Sequence, residues 1–426
     1  MKKTCYPQLD EVLFTEKLPN GLSVAVVPRP GFTKCLAYLV TDFGSIHREF
    51  TMDGKAYTVP AGIAHFLEHK LFDMPGRDIT AEFAALGAVP NAFTGYDMTA
   101  YHFSCTENFY ESLRLLLEFV YTPCFTQESV DKEQGIIGQE IDMNEDSPET
   151  EVFESLMGIM YSHHPVQEPI LGTKQSISSI TPEMLTDCHR AFYRPENMLL
   201  CVVGDVDPEE VEKLARELSP KSNPKVTAIR HWQESMSVSA PAVSTQMEVA
   251  MPMFQLGFKC EPMEKGIDAI RQEFVGDLAA EALFGESSRL YLQMYQEGLI
   301  DSAFGGGFET IEGMAILTAS GDSWEPEKVR SAILEEAARI AKEGIDEGDF
   351  LRMKRSSLGR RIKSLDGFDS TCFRVCAYHF SGYDYFRFPE LYETISAQQV
   401  QAFLQKVVTE DRMSLSVIHP LQEVEK

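Results

Sequence analysis

The sequence lacks paired cysteines, long apolar runs and an excess of basic residues, and each absence excludes a class of protein. Its nine cysteines include no CxxC pair, so no zinc ribbon or thioredoxin-like redox motif is indicated. No apolar run approaches the roughly 20 residues that a transmembrane helix needs. Acidic residues outnumber basic ones by 65 to 38, and the net charge of −27 would repel nucleic acid. We therefore expect neither a nucleic-acid partner nor a membrane partner.

The N-terminal residues indicate where the protein resides. The stretch MKKTCYPQLDE turns polar after a few residues and lacks the apolar core of a signal peptide. Together with an odd number of cysteines, this predicts reduced thiols and a cytoplasmic location. Cys372 and Cys376 are four residues apart on a predicted helix. We interpret them as core residues, with metal binding or redox pairing as the alternative.

The length of 426 residues suggests more than one domain. The segment 219–240 breaks the hydrophobic periodicity and is punctuated by prolines, which is typical of a linker. It separates a predicted N-terminal domain, 1–218, from a predicted C-terminal domain, 241–426.

The two halves repeat one order of elements, with strands first, then helices around an extended pair, then a closing strand. In the first half we predict strands at 22–30, 34–43 and 198–206, an extended pair at 91–105, and helices at 60–72, 108–121, 126–144, 148–161 and 181–192. In the second half we predict strands at 244–260 and 412–418, an extended pair at 303–319, and helices at 265–284, 326–343, 346–364, 367–381 and 396–407. The fold class is therefore α+β, with two tandem homologous domains that are each an antiparallel sheet backed by helices.

The most specific motif is His65-Phe-Leu-Glu68-His69. Residues four apart in a helix lie one turn apart on the same face, so the two histidines can bind one ion. Glu68 follows His65 by three residues and lies on the same side, within reach of a water at that ion. Two imidazoles suit zinc, and a carboxylate beside them is placed to act as a general base. The alternative is a core helix with chance histidines.

A catalytic zinc ion needs a third protein ligand and an open position for water. The predicted helix 126–144 contains Glu133 and Glu140, which are seven residues apart and therefore share a face. One of them can bind the metal while the other orients a ligand or the water. Spacing alone does not distinguish this pair from solvated helix carboxylates.

The HxxEH order, with a glutamate 140 − 69 = 71 residues later, resembles the pitrilysin/insulinase family of zinc metallopeptidases, the inverzincins. The similarity runs along nearly the whole chain. Its further segments are NAFT at 91–94, ILGT at 170–173, YRPENM at 193–198, GDVDPEEV at 204–211 and SSRL at 287–290. The first half is especially similar to bacterial members associated with 5-aminopentanol modification of elongation factor P. The resemblance implies the fold of the mitochondrial processing peptidase-like metallohydrolases.

Carried over by position, the resemblance assigns roles to five side chains. It implies that His65, His69 and Glu140 bind Zn²⁺. It also implies that Glu68 is the general base and that Glu133 is a second catalytic acid that supports the ligands. The implied reaction is metal-assisted hydrolysis, in which Glu68 takes a proton from water and passes it to the leaving amine.

The resemblance also implies a substrate-binding strand, Asn91-Ala92-Phe93. An extended peptide can add to a sheet edge through main-chain hydrogen bonds, which tolerates many sequences. Asn91 would also offer its side-chain amide to the peptide. The alternative for these residues is an ordinary buried strand.

One segment departs from the family. Active members use an Arg and a Tyr from a C-terminal half to hold substrate and stabilise the oxyanion, but here Tyr295 and Asp301 occupy those positions. A carboxylate cannot donate a hydrogen bond to an oxyanion. This favours the zinc-bearing subunit of a heterodimer whose homologous partner supplies the Arg/Tyr pair, over a self-sufficient homodimer.

The leading hypothesis is a cytoplasmic zinc endopeptidase subunit acting on extended or unfolded peptides. The alternative is a non-catalytic peptide-binding or scaffold subunit of the same fold, linked to the maturation of a modified translation factor. The complete set of histidines and glutamates favours the enzyme, because scaffold relatives usually lose part of that set.

Overall fold

The structure is a computed structural model that describes residues 1–74, 76–221, 225–228 and 232–421. The chain forms two compact units. Unit 1 contains Met1–Ile141, Pro169–Arg230 and Arg361–Arg387, and unit 2 contains Asp142–Glu168, His231–Arg360 and Phe388–Lys426. Each unit thus includes one segment from the other half of the sequence. The predicted domain limits stay a prediction, and residues 222–224 and 229–231 of the proposed linker lie outside the described residues.

Seventeen strands occur within the described ranges. They are β1 (Lys2–Tyr6), β2 (Glu11–Lys17), β3 (Ser23–Pro28), β4 (Cys35–Thr41), β5 (Glu49–Met52), β6 (Lys55–Thr58), β7 (Asp73–Met74), β8 (Arg77–Asp78), β9 (Ala88–Thr94), β10 (Thr99–Cys105), β11 (Met198–Gly204), β12 (Val226–Ala228), β13 (Ala242–Met247), β14 (Met253–Cys260), β15 (Gly305–Ile311), β16 (Met314–Asp322) and β17 (Met413–Pro420).

The α-helices of the described residues include every helix that the sequence predicts. They are α1 (Ile63–Phe72), α2 (Ile79–Ala85), α3 (Phe109–Tyr121), α4 (Gln127–Glu145), α5 (Pro148–Met160), α6 (Lys174–Ile177), α7 (Pro182–Phe192), α8 (Pro208–Leu218), α9 (Ile267–Phe284), α10 (Arg289–Gln296), α11 (Pro326–Glu343), α12 (Glu347–Ser364), α13 (Phe368–Phe380), α14 (Phe388–Glu393) and α15 (Ala397–Val407). Three of them, α5, α7 and α8, begin with a Ser, Thr or Asp cap followed by proline, which fixes their first turn.

Unit 1 is built on a seven-stranded sheet in the order β1-β2-β3-β11-β4-β10-β9. Strands β4 and β11 are buried along their whole length, because helices cover both faces of the sheet. Helices α1 and α3 pack on one face, and α13 packs against β4 and β11 on the other.

Cys372 of α13 donates its thiol to the carbonyl of Cys201, with a separation of 3.7 Å. Cys372 and Cys376 are both buried, which supports their interpretation as core residues.

Unit 2 contains a five-stranded sheet in the order β13-β17-β14-β16-β15. Helix α9 packs behind β15, and α5 packs against β14 and β17. Gly257 of β14 allows this second contact, since a Cβ atom there would lie 2.6 Å from the sulfur of Met160. This order of strands matches β3-β11-β4-β10-β9 of unit 1, so the predicted internal repeat is present in the topology.

The structure refines two sequence predictions. Each sheet is mainly antiparallel, as predicted, but β3 pairs with β11 and β13 pairs with β17 in parallel. In each unit the closing strand returns through a helix and inserts between two antiparallel neighbours, so it must run parallel to one of them. The predicted strand 244–260 is two strands, because the chain reverses direction between Met247 and Met253 and places β13 and β14 on opposite sides of β17.

No helix in the described part of the chain is long and apolar enough to cross a membrane.

Candidate metal centre

The site begins with the loop that starts α1. Gly62 precedes the helix with a φ of 88°, and a Cβ atom there would lie 2.3 Å from the carbonyl oxygen of Leu171. Gly172 in the facing loop has a φ of 71°, and its Cβ would lie 2.6 Å from the carbonyl oxygen of Ala61. Only glycine suits both positions. This close contact determines where α1 begins and therefore which way its histidines face.

Three side chains of unit 1 meet at one point. The Nε2 atoms of His65 and His69 lie 3.6 Å from Oε1 and Oε2 of Glu140, respectively. Neighbouring ligands of a tetrahedral zinc ion at about 2.1 Å are about 3.4 Å apart, so the three side chains fit zinc with little movement. Within the described residues, no other group of three His, Cys, Asp or Glu side chains has ligand atoms this close together.

Glu133 lies behind His69, on the side away from Glu140. Its Oε1 is 3.1 Å from Nδ1 of His69, and its Oε2 is 3.5 Å from the ammonium of Lys70. Burial raises the pKa of Glu133, but the hydrogen bond with His69 and the charge of Lys70 together lower it below its ordinary value. Glu133 is therefore an anion that can accept the Nδ1 proton of His69 and leave Nε2 free for a ligand bond.

Glu68 lies beside the histidines and is almost fully buried. The hydroxyl of Thr94 donates to its Oε2 at 2.6 Å. Burial raises the pKa of Glu68 above its ordinary value, although the hydrogen bond from Thr94 opposes this. A carboxylate with a raised pKa is a stronger base, and one of its oxygens is held in place by β9.

The two histidines differ in protonation. Burial, with a smaller contribution from neighbouring His69, lowers the pKa of His65 to about 3. Burial would also lower the pKa of His69, but the hydrogen bond with Glu133 and the nearby carboxylates raise it above its ordinary value. His65 is therefore neutral near pH 7. His69 keeps its proton to a higher pH than an ordinary histidine, and it must lose that proton before it can bind a metal ion.

The predicted substrate strand lies in β9, at the edge of the seven-stranded sheet. Asn91 is exposed, and Ala92 and Phe93 are half-buried, so the strand is not an ordinary buried one. The backbone N–H of Ala92 donates to Oδ1 of Asn91 at 2.9 Å. Helix α1 packs behind this edge, which brings β9 next to Glu68.

The two residues that depart from the family lie in unit 2. Tyr295 is on α10 with 53% of its side chain exposed, stacked on Tyr291 with ring centroids 6.0 Å apart. Asp301 lies in a turn, where its carboxylate accepts the backbone N–H of Ala303 at 2.8 Å.

Two residues of the site escaped the sequence analysis. Thr94 was noted only as part of the NAFT segment, and nothing local indicates that it meets Glu68. The sequence could have indicated Lys70, because this residue lies seven after Ile63 and three after Leu67, on the apolar face of α1. A lysine on a buried stripe requires acidic or carbonyl partners.

Comparison with known proteins identifies the family and the fold. Residues 29–174 match the family described as Insulinase (Peptidase family M16), and residues 179–357 match the Peptidase M16 inactive domain. The chain is 36% identical to the "Uncharacterized zinc protease YmfH" of Bacillus subtilis, over 97% of this chain and 98% of that protein. It is 32% identical to an M16-like peptidase from Alicyclobacillus acidocaldarius, whose crystal structure superposes with a TM-score of 0.93 over 96% of this chain and 99% of that one. A protease from Helicobacter pylori, 19% identical, shares the fold with a TM-score of 0.81 over 96% of this chain and 99% of that one. The chain therefore belongs to peptidase family M16, the insulinase family.

Proposed function

We propose that this chain is a zinc-dependent endopeptidase subunit that hydrolyses extended or unfolded peptides. The observation that carries the proposal is the placement of the two histidine Nε2 atoms, each 3.6 Å from a Glu140 oxygen, with Glu68 on the same helix. The name of the related YmfH protein, a zinc protease, supports the same conclusion.

In this proposal His65, His69 and Glu140 hold the ion. When bound, zinc supplies a Lewis acid that lowers the pKa of water and polarises a peptide carbonyl. Glu68 takes the proton of the attacking water and returns it to the leaving amine. Thr94 holds one Glu68 oxygen, so the other oxygen is free for the water.

The peptide would bind along the free edge of β9. Main-chain pairing tolerates different sequences, which suits a peptidase for unfolded substrates. A bound strand would accept a hydrogen bond from the Ala92 N–H in place of Oδ1 of Asn91, and would free the Asn91 side chain to contact the peptide.

A partner subunit would complete the site. Asp301 is an acceptor in its own turn and cannot donate to an oxyanion. We therefore propose a heterodimer with a homologous chain that supplies the Arg/Tyr pair, in the cytoplasm. A link to the maturation of elongation factor P stays a prediction from resemblance.

The test compares the purified chain with its Glu68→Gln variant, with and without a homologous partner carrying Arg and Tyr. Both proteins should bind one zinc ion, while the variant should cleave an unfolded peptide about 100-fold more slowly or worse. Glu128→Gln, an exposed glutamate of α4, is the matched control and should change nothing. Cleavage by Glu68→Gln at the normal rate would refute the role of Glu68. Zinc binding without cleavage in any combination would favour the scaffold alternative.

A further inference from the structure

The side chain of Lys70 is fully buried, at 0% exposure, although it ends in an ammonium group. It lies on the stripe of α1 formed by Ile63, Phe66 and Leu67, where an apolar residue would be expected. Removing a charge from water costs several kcal/mol unless partners compensate it. The partners of Lys70 therefore indicate why a lysine occupies this position.

Lys70 has three partners. Its Nζ pairs with the carboxylate of Asp73, donates to the backbone oxygen of Ser129 at 3.2 Å, and lies 3.5 Å from Oε2 of Glu133. Two of these partners belong to α4, the helix that also carries Glu140. Lys70 thus ties the two helices of the candidate metal centre together.

The contact with Glu133 continues to the metal centre. The other Glu133 oxygen is 3.1 Å from Nδ1 of His69, whose Nε2 faces Glu140. By contrast, Nδ1 of His65 is buried without a hydrogen-bond partner among the described residues. Packing alone therefore orients His65, whereas a hydrogen bond orients His69. That bond requires Glu133 to stay where Lys70 holds it.

We propose that Lys70 is a positioning residue that sets the zinc affinity of the site by holding Glu133 against His69. The inference rests on the proposed function, because it presumes that His69 binds zinc. Its effect is indirect, since Lys70 acts on the ligand only through Glu133. Carboxylates that orient a metal-binding histidine typically change metal affinity 10- to 100-fold when they are lost.

The test measures the zinc dissociation constant by competition with a chelator, which needs no peptidase activity. Lys70→Met keeps the length of the side chain and removes the charge, and we expect zinc binding to weaken about tenfold or more. Lys132→Met is the matched control, because Lys132 is exposed on α4 next to Glu133. It makes the same change of charge and should leave the affinity unchanged. If Lys70→Met does not fold, Lys70→Gln takes its place, because glutamine can still donate a hydrogen bond to Ser129. We expect the same loss of zinc affinity from Lys70→Gln.

A double-mutant cycle separates this role from simple packing of α1 against α4. If Lys70 acts through Glu133, Lys70→Met combined with Glu133→Gln should bind zinc no more weakly than Glu133→Gln alone. Fully additive losses, or normal affinity in a folded Lys70 variant, would overturn the inference while leaving the proposed function intact. Failure of the unmodified chain to bind zinc would overturn both.

Discussion

The same supersecondary arrangement, a helix packed behind an edge hairpin, occurs once in each unit with different side chains. In unit 1, α1 presents two imidazoles and a carboxylate beside β9, and Thr94 reaches Glu68. In unit 2, α9 presents Gly276 to the ring of Phe308 on β15, and a Cβ atom at Gly276 would lie 2.2 Å from that ring. One backbone plan thus holds a polar cluster in one unit and an apolar contact in the other. The chemistry depends on the side chains placed there, not on the fold.

Removal of a ligand should break this comparison most strongly, because it removes from unit 1 the metal-binding cluster that the described residues of unit 2 lack. Glu140→Ala removes the third side chain of the cluster, and we expect zinc affinity to fall by more than about 100-fold, beyond the loss of a supporting residue. Chelator competition measures the effect. Unchanged affinity would show that the third ligand lies elsewhere.

Filling the contact in unit 2 should damage stability and spare the metal. Gly276→Ala places a methyl group against the Phe308 ring, and we expect the free energy of unfolding to fall by about 1–3 kcal/mol. Gly359→Ala, on α12 of the same unit with open space at its Cβ, is the control. It should stabilise the protein by up to about 1 kcal/mol through helix propensity. Urea unfolding distinguishes the two, and a stabilised Gly276→Ala variant would contradict the packing.

The pH dependence of zinc binding should sharpen the contrast between the two histidines of unit 1. The pKa of His69 is raised. Above that pKa His69 is neutral, so its protonation does not change the zinc affinity. Below it, each bound zinc must displace one proton, and affinity should fall about tenfold per pH unit. His65, with a pKa of about 3, adds no slope above pH 4.

Glu133→Gln provides the control for this pH profile. It removes a carboxylate that raises the pKa of His69, so the decline in affinity should begin at a lower pH. Titrations of zinc affinity at several pH values would measure both profiles. A decline that does not move in the variant would contradict the assignment to His69.

The smallest effect is expected at the contact between β9 and the general base. Thr94→Val keeps the shape of the side chain and removes the hydroxyl that donates to Glu68, so turnover should fall about fivefold, the equivalent of one hydrogen bond of about 1 kcal/mol. Thr94→Ser should restore turnover, while zinc affinity stays constant in both variants. Equal turnover of the Val and native proteins would show that Glu68 is held by packing alone.

Strongly periodic or well-capped segments could be read from the sequence. The ends of α3 and α5 lie within one residue of the predicted helices 108–121 and 148–161. The segments missed include β1, β2, the short strands β5 to β8 and β12, and the helices α2, α6, α8, α10 and α14. Strand β1, for example, has no buried residue, and its pairing with β2 stabilises it. Its structure depends on a neighbour more than on its own composition.

By itself, the sequence determined the pair His65 and His69, because a spacing of four in a helix places two side chains together whatever surrounds them. It also indicated the repeated order of elements, since apolar periodicity is a local property. Only the tertiary structure decided that Glu140 meets those histidines, that Thr94 meets Glu68 and that Lys70 meets Glu133. These contacts join segments 26 to 75 residues apart, and their geometry depends on how α4 and β9 pack against α1. No local pattern specifies such packing.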